Sequence, residues 1–209
     1  MVEDDCTGVR LMVRRTRYPS FNVLDEREAW DTHTQAIVTS RISKSQSCTV
    51  LDGEEYKLLQ QVCSALVDDE REEVIQYVLA HVDQTLKDTT TGEGERRTGV
   101  PERKMLILEG IQHLDKFLLQ VTGKKASKCE AQQLTEVLRQ ISDGRADYSK
   151  WPSNLQREWF LKMLNLTVEA YCSHPIVWSE MGYAGPAYPR GYVRGDIGRL
   201  DPWEAKEEA

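Results

Sequence analysis

The four histidines are the first residues to consider for catalysis or metal binding, because imidazole serves both. His33, His81, His113 and His174 fall on different predicted helices, with no His-x-x-x-His or Glu-x-x-His spacing. Such spacing places two ligands on one helix face, so no metal site is predicted. We expect His81 and His113 to be hydrogen-bonded structural residues. A cationic His174 would complement the negative end of the helix that it terminates.

The acidic residues offer no better candidate for acid–base catalysis. The run between Asp68 and Glu73 falls in a predicted first helical turn, where carboxylates stabilise the positive end of the helix dipole. The sequence also lacks a Walker loop, a Gly-x-Gly-x-x-Gly motif and a Gly-x-Ser-x-Gly motif. We therefore predict no catalytic residues and no cofactor on this chain.

The five cysteines are odd in number, scattered and never spaced Cys-x-x-Cys. This pattern predicts neither a disulfide framework nor a zinc site, and without Cys-x-x-Cys-His no c-type haem is expected. Cys63 and Cys172 lie inside helical patterns and are predicted to be small buried residues.

The composition indicates one globular domain of 209 residues with a net charge of −7. No apolar run approaches the roughly 18 residues that cross a bilayer. Nucleic-acid binding is disfavoured by this charge, and the short basic patch at Arg10, Arg14, Arg15 and Arg17 adjoins an acidic start. The Arg14–Arg15 pair is not followed by an apolar export region, so we expect a cytoplasmic protein, or one exported only with a partner.

Apolar residues recur at helical spacing from about residue 26 to residue 172. The pattern predicts an all-α bundle of about six helices with extended N- and C-terminal segments. The first helix should span about residues 26–43, with Trp30, Ile37, Val38 and Ile42 on one stripe. Residues 89–99 are polar and Gly-rich and should form a surface loop.

The other predicted helix starts follow capping patterns. They lie at Thr49–Asp52, Asp68–Glu70, Pro101, Ser127 with Glu130, and Ser153 after Trp151–Pro152.

The sequence divides into an N-terminal extended arm (1–25), a helical bundle (26–175) and a C-terminal arm with an acidic tail (176–209). From residue 176 the chain is rich in glycine, proline and aromatic residues, so we expect helix formation to stop there.

Two interpretations of the C-terminal arm stay open. Its aromatic residues could fold back to cap the bundle's own core, with Arg190 and Arg194 as surface charges. Alternatively, the arm could dock on a second chain, because Tyr, Trp and Arg are favoured at binding hot spots. The predicted contact or arm-locking residues are Trp178, Tyr183, Pro186, Tyr188, Arg190 and Tyr192, together with the N-terminal stretch from Tyr18 to Phe21.

The stretch Trp178–Tyr192, preceded by Glu169–Pro175, resembles the C-terminal signature of the gluconate 2-dehydrogenase subunit 3 family. Leu51–Tyr56 and Trp151–Phe160 are similar to the family more loosely, so the resemblance covers about residues 20–195. It implies a non-catalytic small subunit that binds, stabilises and helps fold a large FAD-dependent dehydrogenase or oxidase of the glucose-methanol-choline type. Such complexes act on sugars, sugar acids or glycosides.

The resemblance also assigns the FAD and the catalytic histidines to the large chain, with a cytochrome c subunit in some complexes. Members commonly carry a twin-arginine export signal, from which this sequence departs. One alternative is a stand-alone helical interaction or assembly protein without a dehydrogenase partner, and another is an enzyme whose site is not recognised.

Overall fold

A computed structural model describes residues 16–42, 49–51, 53–88, 99–191, 193 and 198–208, and for Ser127 it describes the backbone alone. Several residues that the sequence analysis singled out lie outside this set: Cys6, Arg10, Arg14, Arg15, Cys48, Asp52, residues 89–98, Tyr192 and Arg194.

The described residues form helices joined by turns and contain no strand, which confirms the all-α prediction. The α-helices are α1 (Thr32–Ser40), α2 (Gly53–Val67), α3 (Glu72–Lys87), α4 (Arg103–Thr122), α5 (Ala131–Ser142), α6 (Ser153–Tyr171) and α7 (Pro175–Met181). Two 3-10 helices, Val23–Ala29 and Ala126–Lys128, precede α1 and α5.

Helix α6 occupies the centre of the bundle and packs on α2, α3, α4 and α5. Its Trp159 is fully buried, and its indole Nε1 donates to the Ile107 carbonyl of α4 at 3.3 Å. Gly110 allows this approach, because a Cβ at that position would lie 2.0 Å from Trp159 Cδ1. The close contact fixes the separation of α4 and α6.

The predicted first helix, 26–43, is divided in two. Val23–Ala29 is a 3-10 helix, and α1 begins only at Thr32 because the Asp31 carboxylate accepts hydrogen bonds from the His33 and Thr34 backbone N–H groups. The predicted stripe is divided too, since Trp30 and Val38 are buried whereas Ile37 is 42% exposed.

The predicted start of α3 is also displaced, from Asp68 to Glu72. Asp68 has φ 50°, and the Asp69 N–H donates to the Ser64 carbonyl at 3.2 Å, so these residues end α2 instead. The Asp69 carboxylate turns back to accept from the backbone N–H and the guanidinium of Arg71.

The capping box of α5 uses different residues from those predicted. Glu130 and Gln133 form it, and Ser127 lies in the preceding 3-10 helix. At α6, Pro152 is the N-cap and Ser153, the predicted cap, is the first helical residue.

The two cysteines that were predicted to be buried differ from each other. Cys63 is fully buried on α2, and burial raises the pKa of its thiol to about 12. Cys172 is exposed, so that prediction was wrong. The reason is that α6 ends at Tyr171, which places Cys172 beyond the buried stripe.

We expect Gly110→Ala to lower the free energy of unfolding by about 1–3 kcal/mol, since overpacking in a well-packed core costs this much. Alanine's better helix propensity, worth up to about 1 kcal/mol, opposes this loss and is too small to cancel a clash with a fully buried ring. Urea denaturation followed by circular dichroism measures the difference. The exposed neighbour Glu109→Ala is the control, and equal stability of the two variants would contradict the prediction.

Candidate docking surface

A tight joint between α6 and α7 begins the region that the sequence singled out. Helix α6 ends at Tyr171, and Pro175 opens α7 at a position where its missing N–H is tolerated. The chain is thus helical to Met181, contrary to the expectation that helix formation stops at residue 176.

His174 caps α7 instead of placing a charge at the end of α6. Its Nδ1 accepts a hydrogen bond from the Ile176 N–H at 3.3 Å, and its side chain is buried. Burial lowers the pKa of His174, and the positive charge of Arg71 lowers it further. The imidazole is therefore neutral near pH 7, so the predicted dipole role was wrong.

Trp178 of α7 belongs to a second, smaller core formed with Val23, Trp30 and Val38, which we call the terminal cluster. The Trp178 indole is 6% exposed, and its Nε1 donates to the Cys172 carbonyl at 2.6 Å. Arg41 lies over the same ring, 5.2 Å from its centroid, and donates to the Ser173 carbonyl at 2.9 Å. Trp178 therefore ties α7 to the N-terminal segment.

Two glycines let aromatic rings close around α7. Gly182 ends the helix with φ 72°, and a Cβ there would lie 2.5 Å from the Tyr18 ring. A Cβ at Gly185 would lie 2.5 Å from the Trp30 ring. The loop that follows α7 is thus seated directly on aromatic side chains of the N-terminal segment.

The buried side chain of Arg190 contacts the backbone of the same loop. Its side chain is only 8% exposed; it donates to the Ala184 carbonyl at 2.5 Å and reaches Glu26 at 3.4 Å. The guanidinium also lies 4.8 Å from the centroid of Trp203, a cation–π contact. Arg190 therefore joins the loop to Glu26 of the N-terminal segment, while its role in contact or arm-locking stays a prediction.

The C-terminal tail returns to the N-terminal segment. The Glu208 N–H donates to the Arg17 carbonyl at 2.9 Å, and Arg17 pairs with Glu207 at 3.0 Å. The Glu208 carboxylate also accepts from Ser20. Both terminal segments therefore pack together beside α7.

Exposed apolar side chains of this region lie between Met181, the last residue of α7, and Val193. Tyr188 is 72% exposed and Tyr183 is 44% exposed, with its ring edge-on to Trp178 at 5.1 Å. Met181 and Val193 are exposed as well. Pro186, Tyr18 and Phe21 are half-buried, and the latter two line the N-terminal side of a groove against α7 of about 340 Å³.

We call residues 181–191 the docking loop. Met181, Tyr183 and Tyr188 lie at its surface, and the buried side chain of Arg190 contacts its backbone at Ala184.

An ion-pair network beside this region was missed by the sequence analysis. Arg71 contacts Asp69 at 2.8 Å and Glu180 at 2.5 Å, and the Tyr171 hydroxyl donates to Asp69 at 3.1 Å. Burial opposes the charge on Arg71, but the hydrogen bonds that its guanidinium donates to Asp69 and Glu180 raise its pKa overall. No fixed spacing signals a pairing between residues 71 and 180, because the two lie 109 positions apart, at the N-cap of α3 and on α7.

The remaining histidines lie apart from this region. His113 stacks on Trp151 at 5.4 Å and contacts the edge of Tyr148, and burial lowers its pKa. Among the described residues, no hydrogen-bond partner lies against the buried nitrogens His81 Nε2, His113 Nδ1 and His174 Nε2, and the expected hydrogen bonds of His81 and His113 stay a prediction. Within the described ranges no group of three or more His, Cys, Asp or Glu side chains is arranged to hold a metal ion. None of the helices described is both long and apolar enough to cross a membrane.

Comparison with known families decides the relationship. The family model described as Gluconate 2-dehydrogenase subunit 3 matches residues 53–185, more than half of the chain. The chain belongs to the gluconate 2-dehydrogenase subunit 3 family. The match runs from the start of α2 to Gly185 and is narrower than the 20–195 of the sequence analysis. No curated protein and no solved structure matches the chain.

The family match includes Trp178 and Tyr183 but not the segments that cover Trp178. Val23, Trp30 and Val38 precede the matched range, and Arg190 and Trp203 follow it. In this subunit 3 family member, the buried residues that enclose Trp178 therefore come from the N-terminal segment.

We expect Trp178→Ala to expose the terminal cluster while leaving the main bundle folded. Truncation of a buried tryptophan costs about 3–5 kcal/mol, and here the loss falls on a core of four buried residues. Hydrogen exchange should accelerate for residues 20–42 and 175–185 and stay unchanged for α3 and α4.

Tyr188→Ala is the matched control, because its ring is 72% exposed and its loss should change stability by less than about 0.5 kcal/mol. Uniform acceleration across the whole chain of the Trp178 variant would show that the terminal cluster is not a separate unit.

Proposed function

We propose that this chain is the non-catalytic small subunit of an oxidoreductase complex. In this proposal the chain binds, stabilises and helps fold a large FAD-dependent subunit of the glucose-methanol-choline type. The large subunit acts on the CH–OH group of a sugar, a sugar acid or a glycoside. The proposal rests on membership of the gluconate 2-dehydrogenase subunit 3 family. The FAD and the catalytic groups lie on the large subunit, and a cytochrome c subunit is an optional third member.

The docking loop supports this proposal through its residue types and its exposure. Tyrosine is enriched at protein interfaces, since it supplies a large apolar area and a hydroxyl with few rotatable bonds. Tyr183 and Tyr188 meet this description, being 44% and 72% exposed. We propose them as the contact residues.

The way in which the loop is held also supports a docking role. Arg190 bonds Ala184 from within, and Gly185 seats the backbone on Trp30. A loop that is already ordered loses less conformational entropy on binding, so more of the contact energy is left for affinity. Trp178 and Arg190 then act by positioning, whereas the exposed tyrosines act by contact.

This division of roles combines the two interpretations that the sequence left open. Trp178 packs into the chain's own terminal cluster, as in the fold-back interpretation. Arg190, which that interpretation made a surface charge, is instead 8% exposed and pairs with Glu26. Tyr183 and Tyr188 face outward and are available to a second chain, as in the docking interpretation. Pro186, Tyr18 and Phe21 are half-buried between these two groups.

The polar groups of the described region support a non-catalytic role, because each strong cluster has a structural task. His174 caps α7, and the Arg71 network joins α3 to α6 and α7. Asp83, which is buried, accepts hydrogen bonds from the Thr49 and Val50 N–H groups ahead of α2.

Co-expression with a flavoprotein of the glucose-methanol-choline type from the same genome tests the proposal. The wild-type chain should co-purify with a yellow, FAD-containing protein and raise its soluble yield. The double variant Tyr183→Ala/Tyr188→Ala should weaken the complex by about 30-fold or more, the effect of losing at least one hot spot of about 2 kcal/mol. Isothermal titration calorimetry measures the loss.

The double variant Met105→Ala/Leu119→Ala is the matched control, since both side chains lie on α4 and are 51% and 50% exposed. It should bind as the wild type does. If both double variants weaken the complex equally, the docking loop is not the specific contact with the flavoprotein.

Two outcomes would replace the proposal. A chain that stays monomeric with every flavoprotein offered would favour a stand-alone helical interaction or assembly protein. A pure chain that oxidises sugars would favour an enzyme. The cytoplasmic location stays a prediction; the free thiols of Cys63, Cys129 and Cys172 are compatible with a reducing compartment.

A further inference from the structure

His174 occupies the one turn that connects the bundle to the docking loop. Its backbone N–H donates to the Tyr171 carbonyl at the end of α6, and its side-chain Nδ1 accepts from Ile176 in the first turn of α7. The neighbouring carbonyls of Cys172 and Ser173 accept from Trp178 and Arg41. The geometry of α7, and so of the terminal cluster, depends on this short joint.

The hydrogen bond at Nδ1 exists only while that nitrogen is unprotonated. A proton on Nδ1 would turn it into a donor facing the Ile176 N–H, which is also a donor. The α7 N-terminus would then lose its cap and gain a repulsive contact. The ring has almost no contact with solvent that could relieve this, because His174 is 1% exposed.

The charges around His174 also oppose a second positive charge. From α3 and its N-cap, the ring meets Arg71, Glu73 and Tyr77, with the Tyr77 ring centroid 5.3 Å away. From the end of α1, Arg41 approaches. Glu73 and the Arg41 backbone act in the opposite direction, as does the carboxyl end of α6. Burial and the two guanidinium groups outweigh them, so the pKa of His174 is lowered.

Arg71, the nearest opposing charge, is held in place by two carboxylates. Asp69 and Glu180 both pair with Arg71, and Asp69 also accepts from Tyr171. The charge of Glu73 favours a protonated His174, and it is outweighed together with the other groups that do so.

We propose that His174 is a proton-operated latch, in which protonation of Nδ1 uncaps α7 and releases the terminal cluster and the docking loop from the bundle. The latch is a property of the isolated chain. Its consequence, that acid separates the two subunits, rests on the proposed function.

The pH window follows from the direction of the shift. Because the folded-state pKa lies below the ordinary value of 6.5, the closed joint binds fewer protons than the open one. Its stability is fully present above pH 6.5 and is lost as the pH falls toward the folded-state pKa. If one proton drives the opening, the ratio of open to closed joint rises by up to about tenfold for each unit that the pH falls within that window.

Hydrogen exchange of the full-length isolated chain between pH 7.5 and pH 5.0, corrected for intrinsic exchange rates, tests the latch. In the wild type, protection of residues 175–185 and 20–42 should fall with pH by up to about tenfold per unit below 6.5, while α3 and α4 keep theirs. In His174→Asn these segments should stay protected throughout, because asparagine also caps helices but does not titrate.

His113→Asn is the matched control, since burial lowers the pKa of His113 too, but it packs on Trp151 far along the chain from α7. This variant should keep the wild-type response. Should His174→Asn fold poorly, His174→Asp supplies a second cap that titrates only in stronger acid. The latch is overturned if the His174 variants lose protection as the wild type does, or if the wild type keeps it at pH 5.0.

Titration of the complex separates this inference from the proposed function. If both hold, acid should dissociate the flavoprotein from the wild-type chain but not from His174→Asn. An acid-sensitive isolated chain that binds no flavoprotein at pH 7.5 would leave the latch standing and remove the proposed function. If the stability of the complex depends on pH in the same way with the wild-type chain and with His174→Asn, the proposed dissociation of the subunits by acid is wrong.

Discussion

The burial of the Trp178 indole is the contact on which the arrangement of both terminal segments depends. Val23, Trp30 and Val38 enclose it, and the indole N–H is satisfied by the carbonyl of Cys172 six residues earlier. An aromatic ring of this size buries up to about 250 Å², enough to anchor segments that make few other apolar contacts. Helix α7 has only seven residues, too few turns to persist without packing, and Trp178 supplies part of that packing while Val177 is buried in the larger core.

Two cores of unequal size follow from this arrangement. The larger one surrounds α6 and draws on α2 to α5, whereas the terminal cluster consists of four buried residues. Cooperative units of different stability are common in proteins, and segments that bind partners are drawn from the less stable ones. The docking loop follows α7, whose Trp178 belongs to the smaller core, so the proposed latch at His174 would act on the less stable of the two units.

Local patterns were sufficient to predict the helical class and most of the buried stripes. Leu134, Val137, Leu138 and Ile141, for example, are all buried on α5, as their spacing indicates. Helix boundaries were less predictable, because a single cap decides them: Asp31 restarts the chain as α1, and His174 does the same for α7. A pattern of apolar residues carries no information about such side-chain-to-backbone bonds.

The roles of the arm residues were beyond local reasoning for a different reason. Arg190 meets Glu26 across 164 positions, and Arg71 meets Glu180 across 109. Composition identified Arg190 and Trp178 as residue types suited to interfaces, yet these types serve internal packing equally well. Only the folded chain distinguishes the buried Trp178 from the exposed Tyr188 on the same arm.

The contacts that close the C-terminal tail differ in their response to ionic strength. Arg17 and Glu207 pair at the surface, with side chains 76% and 61% exposed, so dissolved salt screens their attraction within a Debye length of about 8 Å at physiological concentration. Arg190, inside the loop, is shielded from those ions. Added salt should therefore detach the residues near Glu208 first and leave the contacts of Arg190 with Glu26 and Ala184 in place. The C-terminal tail should then fray from its end inward.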